Sequence, residues 1–388
     1  MDKFENVRQY LIEITKGETR DGITLGVCPK CHNRSFIIAD AVAYCPCCCL
    51  SVSYKEIQWR GAKQETVLRM EMDNSDEKCE LYKLMQEAQW LYAGWLKKSP
   101  KAREYAKERG LGDSEIKAFG IGYGGGIYDE VKGHYTEDLL LKSGLFYKDS
   151  VTGNIRERFY HRLIIPIQDI KGRIIGFGGR LTHPQKKAAK YINSPESMVF
   201  DKGANLYGMH VACHYAAKGI ILCEGYMDAI ALHKAGFKSA VASLGTALTL
   251  QQAKLISIFT RRVYLAYDSD GAGIKATVKA IGTLRNAGIY DIRIINLNPH
   301  KDPDEFIQKK GRGDFIKKLS SAVRAPIYMS AYYAFQCKNK KMTEIEMYGE
   351  IAKELNCVPQ KIYHKVIWRN KLDEQFLQYE IAKIRSCH

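Results

Sequence analysis

Four acidic residues stand at positions where carboxylates could bind metal ions. Glu224 and the pair Asp268 and Asp270 each follow a short apolar run that predicts a β-strand, and Asp304 lies in the acidic segment 301–306. Carboxylates gathered at strand ends repel one another unless a cation neutralises them. Hard divalent cations such as Mg²⁺ take oxygen ligands and favour a few carboxylates together with substrate phosphates. The residue types therefore indicate metal-assisted chemistry on a phosphate chain.

The segment from residue 219 onward alternates strand and helix patterns, which would position these carboxylates. Strands are predicted at 219–223, 239–242, 262–266 and 291–296, and helices at 227–235, 250–259 and 272–287. This alternation is typical of a parallel sheet with helices on its faces, and the carboxyl ends of its strands form the binding edge. Glu224, Asp268 and Asp270 are therefore expected together at that edge, and Asp304 in a loop after the last strand.

A second group of chemically competent residues lies near the N-terminus. Half of the twelve cysteines fall within residues 28–49, where two C-x-x-C pairs are separated by 13 residues. Four thiolates at such spacing can close a tetrahedral structural zinc site. The expected ligands are Cys28, Cys31, Cys45 and Cys48. Cys47 and Cys49 leave the second pair ambiguous, and His32 is an alternative to Cys31.

The composition restricts the class of protein and its partners. An apolar fraction of 46% and a charged fraction of 26% are ordinary for a globular protein. No apolar run approaches the ~20 residues of a membrane span, and the N-terminus lacks a signal peptide, so we expect a cytoplasmic protein. The net charge is +16, yet residues 1–75 are neutral, with 10 basic and 10 acidic residues. A basic body around an acidic site suits a polyanionic ligand.

The rest of the chain is predicted from periodicity and breakers. Residues 61–78 are polar and are interpreted as a linker, followed by a helix over 78–98 with apolar residues at helical spacing. A second helix over 100–109 ends at Gly110, and strands are expected at 163–168 and 173–177. The last 60 or so residues are expected to be helical.

Several motifs in a fixed order carry a family resemblance. They are RIIGFGGR at 173–180, KYINSPE at 190–196, EGYMD at 224–228, SLGTA at 243–247 and DSDGAG at 268–273. Together with the cysteine pairs, they resemble the bacterial DnaG-type primases, which join a zinc ribbon to an RNA polymerase core containing a TOPRIM fold. The resemblance covers roughly residues 25–310.

The resemblance implies an α/β fold, α+β overall, with a TOPRIM parallel sheet flanked by helices. The expected divisions are a zinc-binding ribbon at 1–60, a linker at 61–78, a mixed α/β N-terminal polymerase subdomain at 79–217, TOPRIM at 218–310 and C-terminal helices at 311–388. Little sequence follows these helices, so the family's helicase-binding domain is expected to be absent. Two departures stand out, since Cys31 replaces the family's usual histidine and Ser269 replaces the glycine of Asp-Gly-Asp.

The implied function is DNA-templated synthesis of short RNA primers, in the cytoplasm of a bacterial or phage-infected cell. Glu224, Asp268 and Asp270 would be catalytic, the same residues with Asp304 would bind Mg²⁺ or Mn²⁺, and one Zn²⁺ would be structural. Asp228 and Asp302 would be auxiliary acids, although Asp228 could instead cap a helix. Nucleotide or template contacts are assigned to Arg158, Arg162, Arg180, Lys190 and Asn193.

The expected partners are a single-stranded DNA template, NTPs, the RNA product and a replicative helicase bound by an unidentified route. Two alternatives remain open from the sequence. One is a TOPRIM nuclease or topoisomerase-like enzyme, and the other is an inactive nucleic-acid-binding protein of a phage or mobile element. The upstream primase-like motifs argue against the first, and the intact acidic residues argue against the second.

Overall fold

The computed structural model describes most of the chain, and its residues form two compact units. The described residues are 5–20, 23–29, 36–38, 42–45, 51–53, 64–183, 188–356 and 358–386. The first unit consists of residues up to 104 together with 120–166 and 173–200, and the second consists of 105–119, 167–172 and 201 onward. In these described residues, no helix has both the length and the apolar character needed to cross a membrane.

The first unit begins with a helix and a small antiparallel sheet. These elements are α1 (Glu5–Thr15), β1 (Glu18–Arg20), β2 (Ile23–Gly26), β3 (Phe36–Ile38), β4 (Val42–Tyr44) and β5 (Ser51–Ser53). The five strands pair in chain order, each antiparallel to the next. Strands β2 and β4 both run antiparallel to β3, so the described cysteines that follow them, Cys28 and Cys45, lie at the same end of the sheet.

The long helix α2 (Gln64–Lys98) includes most of the predicted linker. Residues 61–78 are interpreted as a linker because they are polar and poorly periodic, and the structure shows that this linker is helical from Gln64. Residues 64–78 contain neither Gly nor Pro, and nine of these fifteen residues are strong helix formers (Gln, Glu, Leu, Arg, Met or Lys), so their intrinsic helix propensity is high. The C-terminal half packs as predicted, because Leu84, Ala88 and Tyr92 are buried.

The rest of the first unit is a four-stranded sheet with short helices and a hairpin. Its elements follow helix α3 (Pro100–Glu108) and helix α4 (Asp113–Phe119) in the chain. They are β6 (Gly122–Tyr123), α5 (Tyr128–Val131), α6 (Glu137–Lys142), β7 (Phe146–Lys148), β8 (Ile155–Glu157), β9 (Arg162–Gln168), β10 (Ile174–Leu181) and β11 (Tyr191–Asn193). The sheet order is β11-β10-β9-β6, and β7 pairs with β8. Tyr92 of α2 packs edge-on against Phe177 of β10, so the helix covers this sheet.

The second unit contains the predicted alternation of strands and helices. Its elements are α7 (Met209–Ala212), a 3₁₀ turn (Cys213–Lys218), β12 (Ile220–Cys223), α8 (Tyr226–Lys234), β13 (Ala240–Ala242), α9 (Leu250–Phe259), β14 (Arg262–Leu265), α10 (Gly271–Asn286), β15 (Asp291–Ile294), α11 (Pro303–Ser320) and β16 (Val323–Arg324). Helix α11 is broken at Gly311, which has φ of 73°. Each predicted strand and helix between 219 and 296 is present within one or two residues.

The sheet of this unit has the order β13-β12-β14-β15-β16. Strands β13, β12, β14 and β15 are parallel, as predicted, whereas β16 is antiparallel to β15 and was not foreseen. Buried residues of these strands, including Leu222, Leu265 and Ile292, form the core with the flanking helices. The carboxyl ends of β12 and β14 are therefore neighbours at one edge.

Four helices complete the chain, and the helical prediction for this region is confirmed. They are α12 (Ala325–Lys338), α13 (Glu344–Leu355), α14 (Gln360–Asn370) and α15 (Glu374–Ser386). Thr343 caps α13, because its Oγ1 accepts from the amide of Glu346 while the Glu346 carboxylate accepts from the amide of Thr343. Tyr348 and Ile351 of α13 are buried in a small separate core.

Candidate active site

Glu224 and Asp268 lie side by side at the carboxyl edge of the parallel sheet. Glu224 follows β12 directly, and Asp268 comes three residues after the end of β14, the adjacent strand. The Glu224 Oε1 accepts a hydrogen bond from the Asp268 amide at 3.1 Å. The topology thus joins two carboxylates that are 44 residues apart in the chain.

Asp270 begins the helix that leaves this edge. Its Oδ1 accepts from the amides of Ala272 at 3.0 Å and Gly273 at 2.8 Å, so it is the N-cap of α10. Gly273 must lack a side chain, because a Cβ there would lie 2.0 Å from the Asp268 carbonyl oxygen. This close approach packs the first turn of α10 against the Asp268 backbone, and the amide dipoles at a helix N-terminus favour a nearby negative charge.

Asp228, Asp302 and Asp304 form the other side of the cluster. Asp304 was expected in a loop, but it lies in the first turn of α11, which Asp302 caps through a 2.8 Å bond from the Glu305 amide. The Asp304 amide donates to Asp228 Oδ1 at 3.3 Å, so α8 and α11 meet at this carboxylate. Asp228 Oδ2 also accepts from the amide of Gly225, at the N-cap of α8, at 3.2 Å. The capping role considered for Asp228 is therefore present.

The cluster has raised pKa values because negative charges are gathered where water is limited. Burial, then Glu224 and Asp302, raise the pKa of Asp268 from 3.8 to about 6. Burial also raises the pKa of Glu224, with a further contribution from Asp270. The pKa of the buried Asp228 lies well above its ordinary value, first from burial and then from Asp302. Such shifts indicate a carboxylate cluster that lacks sufficient positive charge.

The donor set fits a hard divalent cation, since all of these side chains offer carboxylate oxygens. Their arrangement is not a preformed cage. In the described ranges, no group of three or more histidine, cysteine, aspartate or glutamate side chains is placed so that it could hold one metal ion. Two of the carboxylates, Asp270 and Asp302, are instead turned to helix amides. Binding a cation would therefore require side-chain rotation.

The zinc prediction falls partly outside the described residues. Cys28 follows β2 and Cys45 follows β4, and both are buried. Cys31 and Cys48 lie outside the described residues, as do Cys47, Cys49 and His32. The four-cysteine site therefore stays a prediction.

The predicted nucleotide-binding residues Arg158 and Arg162 both make contacts within the first unit. Arg158 Nε donates to the Gly144 carbonyl at 2.8 Å. Arg162 is nearly buried, and its Nη1 donates to carbonyl oxygens of the β10–β11 connection, including that of Ala189 at 2.8 Å. Burial lowers the pKa of Arg162. This placement shows a structural role for Arg162 that the sequence did not reveal.

Arg180, Lys190 and Asn193 lie together on the β10–β11 hairpin. Arg180 pairs with Tyr191 across the two strands, its guanidinium 5.1 Å from the ring centre and its Nη1 hydrogen-bonded to the phenol oxygen. Lys190 is exposed beside the same ring, at 6.0 Å, and Asn193 is half-buried on β11. The hairpin thus presents a lysine and an arginine on one aromatic side chain.

Two residues near the acidic cluster were not assigned from the sequence. Lys301 Nζ lies 4.0 Å from Asp268 Oδ2, and its carbonyl accepts from the Ser269 amide at 2.8 Å. Gln308 Nε2 donates to Asp304 Oδ1 at 2.7 Å. Gln308 stands four residues after Asp304, a spacing that places both on one helical face, so a helix prediction at 303 would have identified it.

Comparison with known proteins now identifies the family. Residues 91–213 match the N-terminal domain of the DNA primase catalytic core, and residues 221–307 match the Toprim-like family. The chain belongs to the DnaG-type DNA primase family. The two matched segments contain the 173–196 motifs and the acidic cluster, respectively.

Individual primases extend this assignment. A DNA primase of Clostridium acetobutylicum is 38% identical over 306 residues, which are 76% of this chain and 50% of that protein. The crystal structure of the Aquifex aeolicus primase zinc-binding and RNA polymerase domains is similar with a TM-score of 0.64 and 27% identity, covering 97% of this chain and 99% of that one. The chain spans about half the length of the curated primases it matches.

A second similar structure is a DnaG primase catalytic domain bound to single-stranded DNA. Its TM-score is 0.60 and its identity 28%, over 74% of this chain and 99% of that one. Together these matches confirm the mixed α/β fold class that the sequence predicts.

Proposed function

We propose that this protein synthesises short RNA primers from NTPs on a single-stranded DNA template. The observation that carries the proposal is the carboxylate pair at the ends of adjacent parallel strands, with the Asp268 amide bonded to Glu224 and the pKa of Asp268 raised to about 6. Ionisation of this cluster is unfavourable because its carboxylates repel one another. A bound divalent cation would stabilise the ionised form. Membership of the primase family indicates that the reaction at this site is nucleotidyl transfer, as in RNA primer synthesis.

Within this proposal, Glu224, Asp268, Asp270 and Asp304 bind Mg²⁺ or Mn²⁺. The cations would supply Lewis-acid stabilisation of the charge that develops on the attacking 3′-oxygen and the leaving pyrophosphate. Asp268 and Glu224 are the half-buried carboxylates of this set, and they are the strongest candidates to bind the first metal ion. Asp228 holds the amide of Asp304 and so positions α11 against α8. Asp302 keeps the first turn of α11 in place as its N-cap.

The β10–β11 hairpin is proposed to contact the nucleotide or template. Lys190 offers an exposed cation there, and Arg180 is oriented by Tyr191. Arg158 and Asn193 are assigned the same role, whereas Arg162 acts by holding the hairpin connection through its carbonyl contacts. A similar DnaG catalytic domain has been solved with single-stranded DNA, which supports a single-stranded template.

A structural zinc ion is proposed for the N-terminal sheet, held by Cys28, Cys31, Cys45 and Cys48. The support is the burial of Cys28 and Cys45 after β2 and β4, which flank β3 in the sheet. A sheet of three- and four-residue strands buries little apolar surface, so metal binding would supply much of its folding energy.

The test is primer synthesis by the purified chain. The protein is incubated with single-stranded DNA, radiolabelled NTPs and Mg²⁺ or Mn²⁺, and products are separated on a denaturing gel. We expect short RNA from the wild type and a loss of at least about 100-fold for Asp268→Asn, because that group is proposed to bind the metal directly.

The matched control is Asp314→Asn, which removes an exposed carboxylate of α11 paired only at the surface with Lys317. It should leave synthesis unchanged. DNA cleavage without RNA synthesis by the wild type would favour the nuclease alternative. If Asp268→Asn made as much RNA as the wild type, the proposed catalytic role of Asp268 would be wrong.

A further inference from the structure

A cavity of about 300 Å³ lies beside the acidic cluster in the second unit. We call it the α8–α11 pocket, because those two helices form most of its wall. The turn between α3 and α4, at Gly110 and Leu111, closes the remaining side. The volume is at the lower end of the range of pockets that enclose small organic ligands.

The floor of the α8–α11 pocket is apolar. It is formed by Met227, Ile230 and Ala231 of α8 together with Ile307 of α11 and Leu111. Apolar surface of this kind favours an aromatic or aliphatic body over a fully hydrated ion. It also distinguishes most of the pocket from the carboxylate edge, with which the pocket shares Asp304.

Three cations stand at the rim. Arg109, Lys234 and Arg312 line the pocket, and all three side chains are exposed. Arg312 is held in place, because its Nη1 donates to the Ala235 carbonyl at 2.8 Å and its guanidinium lies 5.4 Å from the Phe237 ring centre. Lys234 Nζ donates to the Gly110 carbonyl at 2.9 Å. Orientation of these groups before binding reduces the entropy lost when an anion is bound.

The pocket is joined to the acidic cluster through Asp304 and Gln308. Both residues line it, and the Gln308 amide donates to the Asp304 carboxylate at 2.7 Å. Asp304 in turn donates its backbone amide to Asp228 at the start of α8. A ligand that engages Gln308 would therefore change the position or charge environment of Asp304.

We propose that the α8–α11 pocket binds a small anionic molecule with an apolar body, and that its occupation alters metal binding at Asp304. The apolar floor takes the body of the ligand, and the three rim cations take its carboxylate, sulfonate or phosphate group. The second half of the proposal rests on the proposed function of Asp304, whereas the first half does not.

Binding is tested with 1-naphthalenesulfonate, which carries one sulfonate on an aromatic body. It is titrated into the full chain labelled with ¹³C at its isoleucine and methionine methyl groups. We expect saturable shifts of Met227, Ile230 and Ile307. Reversing two rim charges in Arg109→Glu/Arg312→Glu should weaken binding at least about tenfold, the loss typical of one charge-assisted hydrogen bond. Lys279→Glu, an exposed change on α10 outside the pocket, should have no effect.

Saturable shifts confined to other methyl groups, or equal affinity in the rim variant, would overturn the binding site. If circular dichroism shows that the rim variant is misfolded, Ala231→Phe, which fills the floor, replaces it and should also abolish the shifts.

Coupling between the pocket and the metal site is tested by Mn²⁺ titration followed by electron paramagnetic resonance. The probe should change the apparent Mn²⁺ affinity at least about threefold in wild type and not in Gln308→Met. Probe binding without any such change would overturn the coupling alone, and absence of Mn²⁺ binding would overturn the proposed metal site.

Discussion

The replacement Asp268→Asn should stabilise the metal-free protein while abolishing the proposed activity. Asp268 is charged at neutral pH, although burial and the neighbouring Glu224 favour its protonated form. Asparagine resembles the protonated carboxyl in size and carries no charge. The variant therefore removes the repulsion between Asp268 and the neighbouring carboxylates, which destabilises the folded protein when no cation is bound.

The magnitude follows from the pKa of Asp268, which rises from 3.8 to about 6 on folding. One pKa unit corresponds to about 1.4 kcal/mol, so the ionised group costs at most about 3 kcal/mol of stability. The Asp268 side chain is 23% exposed, and solvent screening reduces the cost, so we expect a gain of about 1.5 kcal/mol.

The sign of the pH dependence is fixed by the direction of the shift. A folded-state pKa above the unfolded value means that the folded protein binds more protons between the two values. Stability from this group is therefore lost as pH rises from 3.8 to about 6. The advantage of Asp268→Asn should be full at pH 8 and should shrink as pH falls toward 4.

The assay is urea unfolding of wild type and variant in EDTA at several pH values, with Asp314→Asn as the control. Addition of Mg²⁺ or Mn²⁺ should stabilise wild type and leave the variant unaffected, because ligand binding to the folded state alone raises stability. A variant less stable than wild type at pH 8, or an advantage that grows as pH falls, would refute the electrostatic reasoning.

Three further changes test other parts of the structure. Gly273→Ala should lower the free energy of unfolding, measured with urea, by roughly 1–3 kcal/mol, because its Cβ would meet the Asp268 carbonyl at 2.0 Å. Gly282→Ala on the same helix has open space around it and should raise the free energy of unfolding by up to about 1 kcal/mol. Glu354→Ala should lower the free energy of unfolding by roughly 2 kcal/mol, since the Glu354 side chain is 5% exposed and pairs with both terminal nitrogens of Arg285. Asp129→Ala breaks an exposed pair with Lys132 and should lower it by less than about 1 kcal/mol in the same measurement. Cys28→Ser should reduce bound zinc, measured by atomic absorption, from about one ion per chain to none, and Cys337→Ser should retain it; equal zinc content in both variants would contradict the proposed ligand set.

The parallel sheet could be predicted from the sequence because burial imposes regular patterns. Strand β12 is a short apolar run followed directly by Glu224, and β14 is followed three residues later by Asp268. Helix α9 matches its predicted bounds of 250–259. Strand β16 could not be predicted in this way, because a two-residue strand has no periodicity. Its place at the sheet edge depends on pairing with β15.

The error at Asp304 had a local signal. Asp302, Pro303 and Glu305 stand at the N-cap, first and third positions of α11, a sequence that favours helix initiation. Proline is well tolerated in the first helical turn, so Pro303 is compatible with a helix that begins there. By contrast, the burial of Arg162 had no local signal, because its partners are carbonyl oxygens 17 to 28 residues away.

Ser269 shows how the acidic cluster accommodates a departure from the family pattern. A glycine between the two aspartates permits a positive φ, yet Ser269 is not one of the described residues with positive φ. Its amide donates to the Lys301 carbonyl at 2.8 Å, which ties the Asp268 loop to the segment preceding α11. That tie holds the Lys301 ammonium within 4.0 Å of Asp268 without any special backbone conformation. The β14–α10 loop therefore requires only an ordinary backbone amide between the two aspartates, a conformation that serine adopts as readily as glycine.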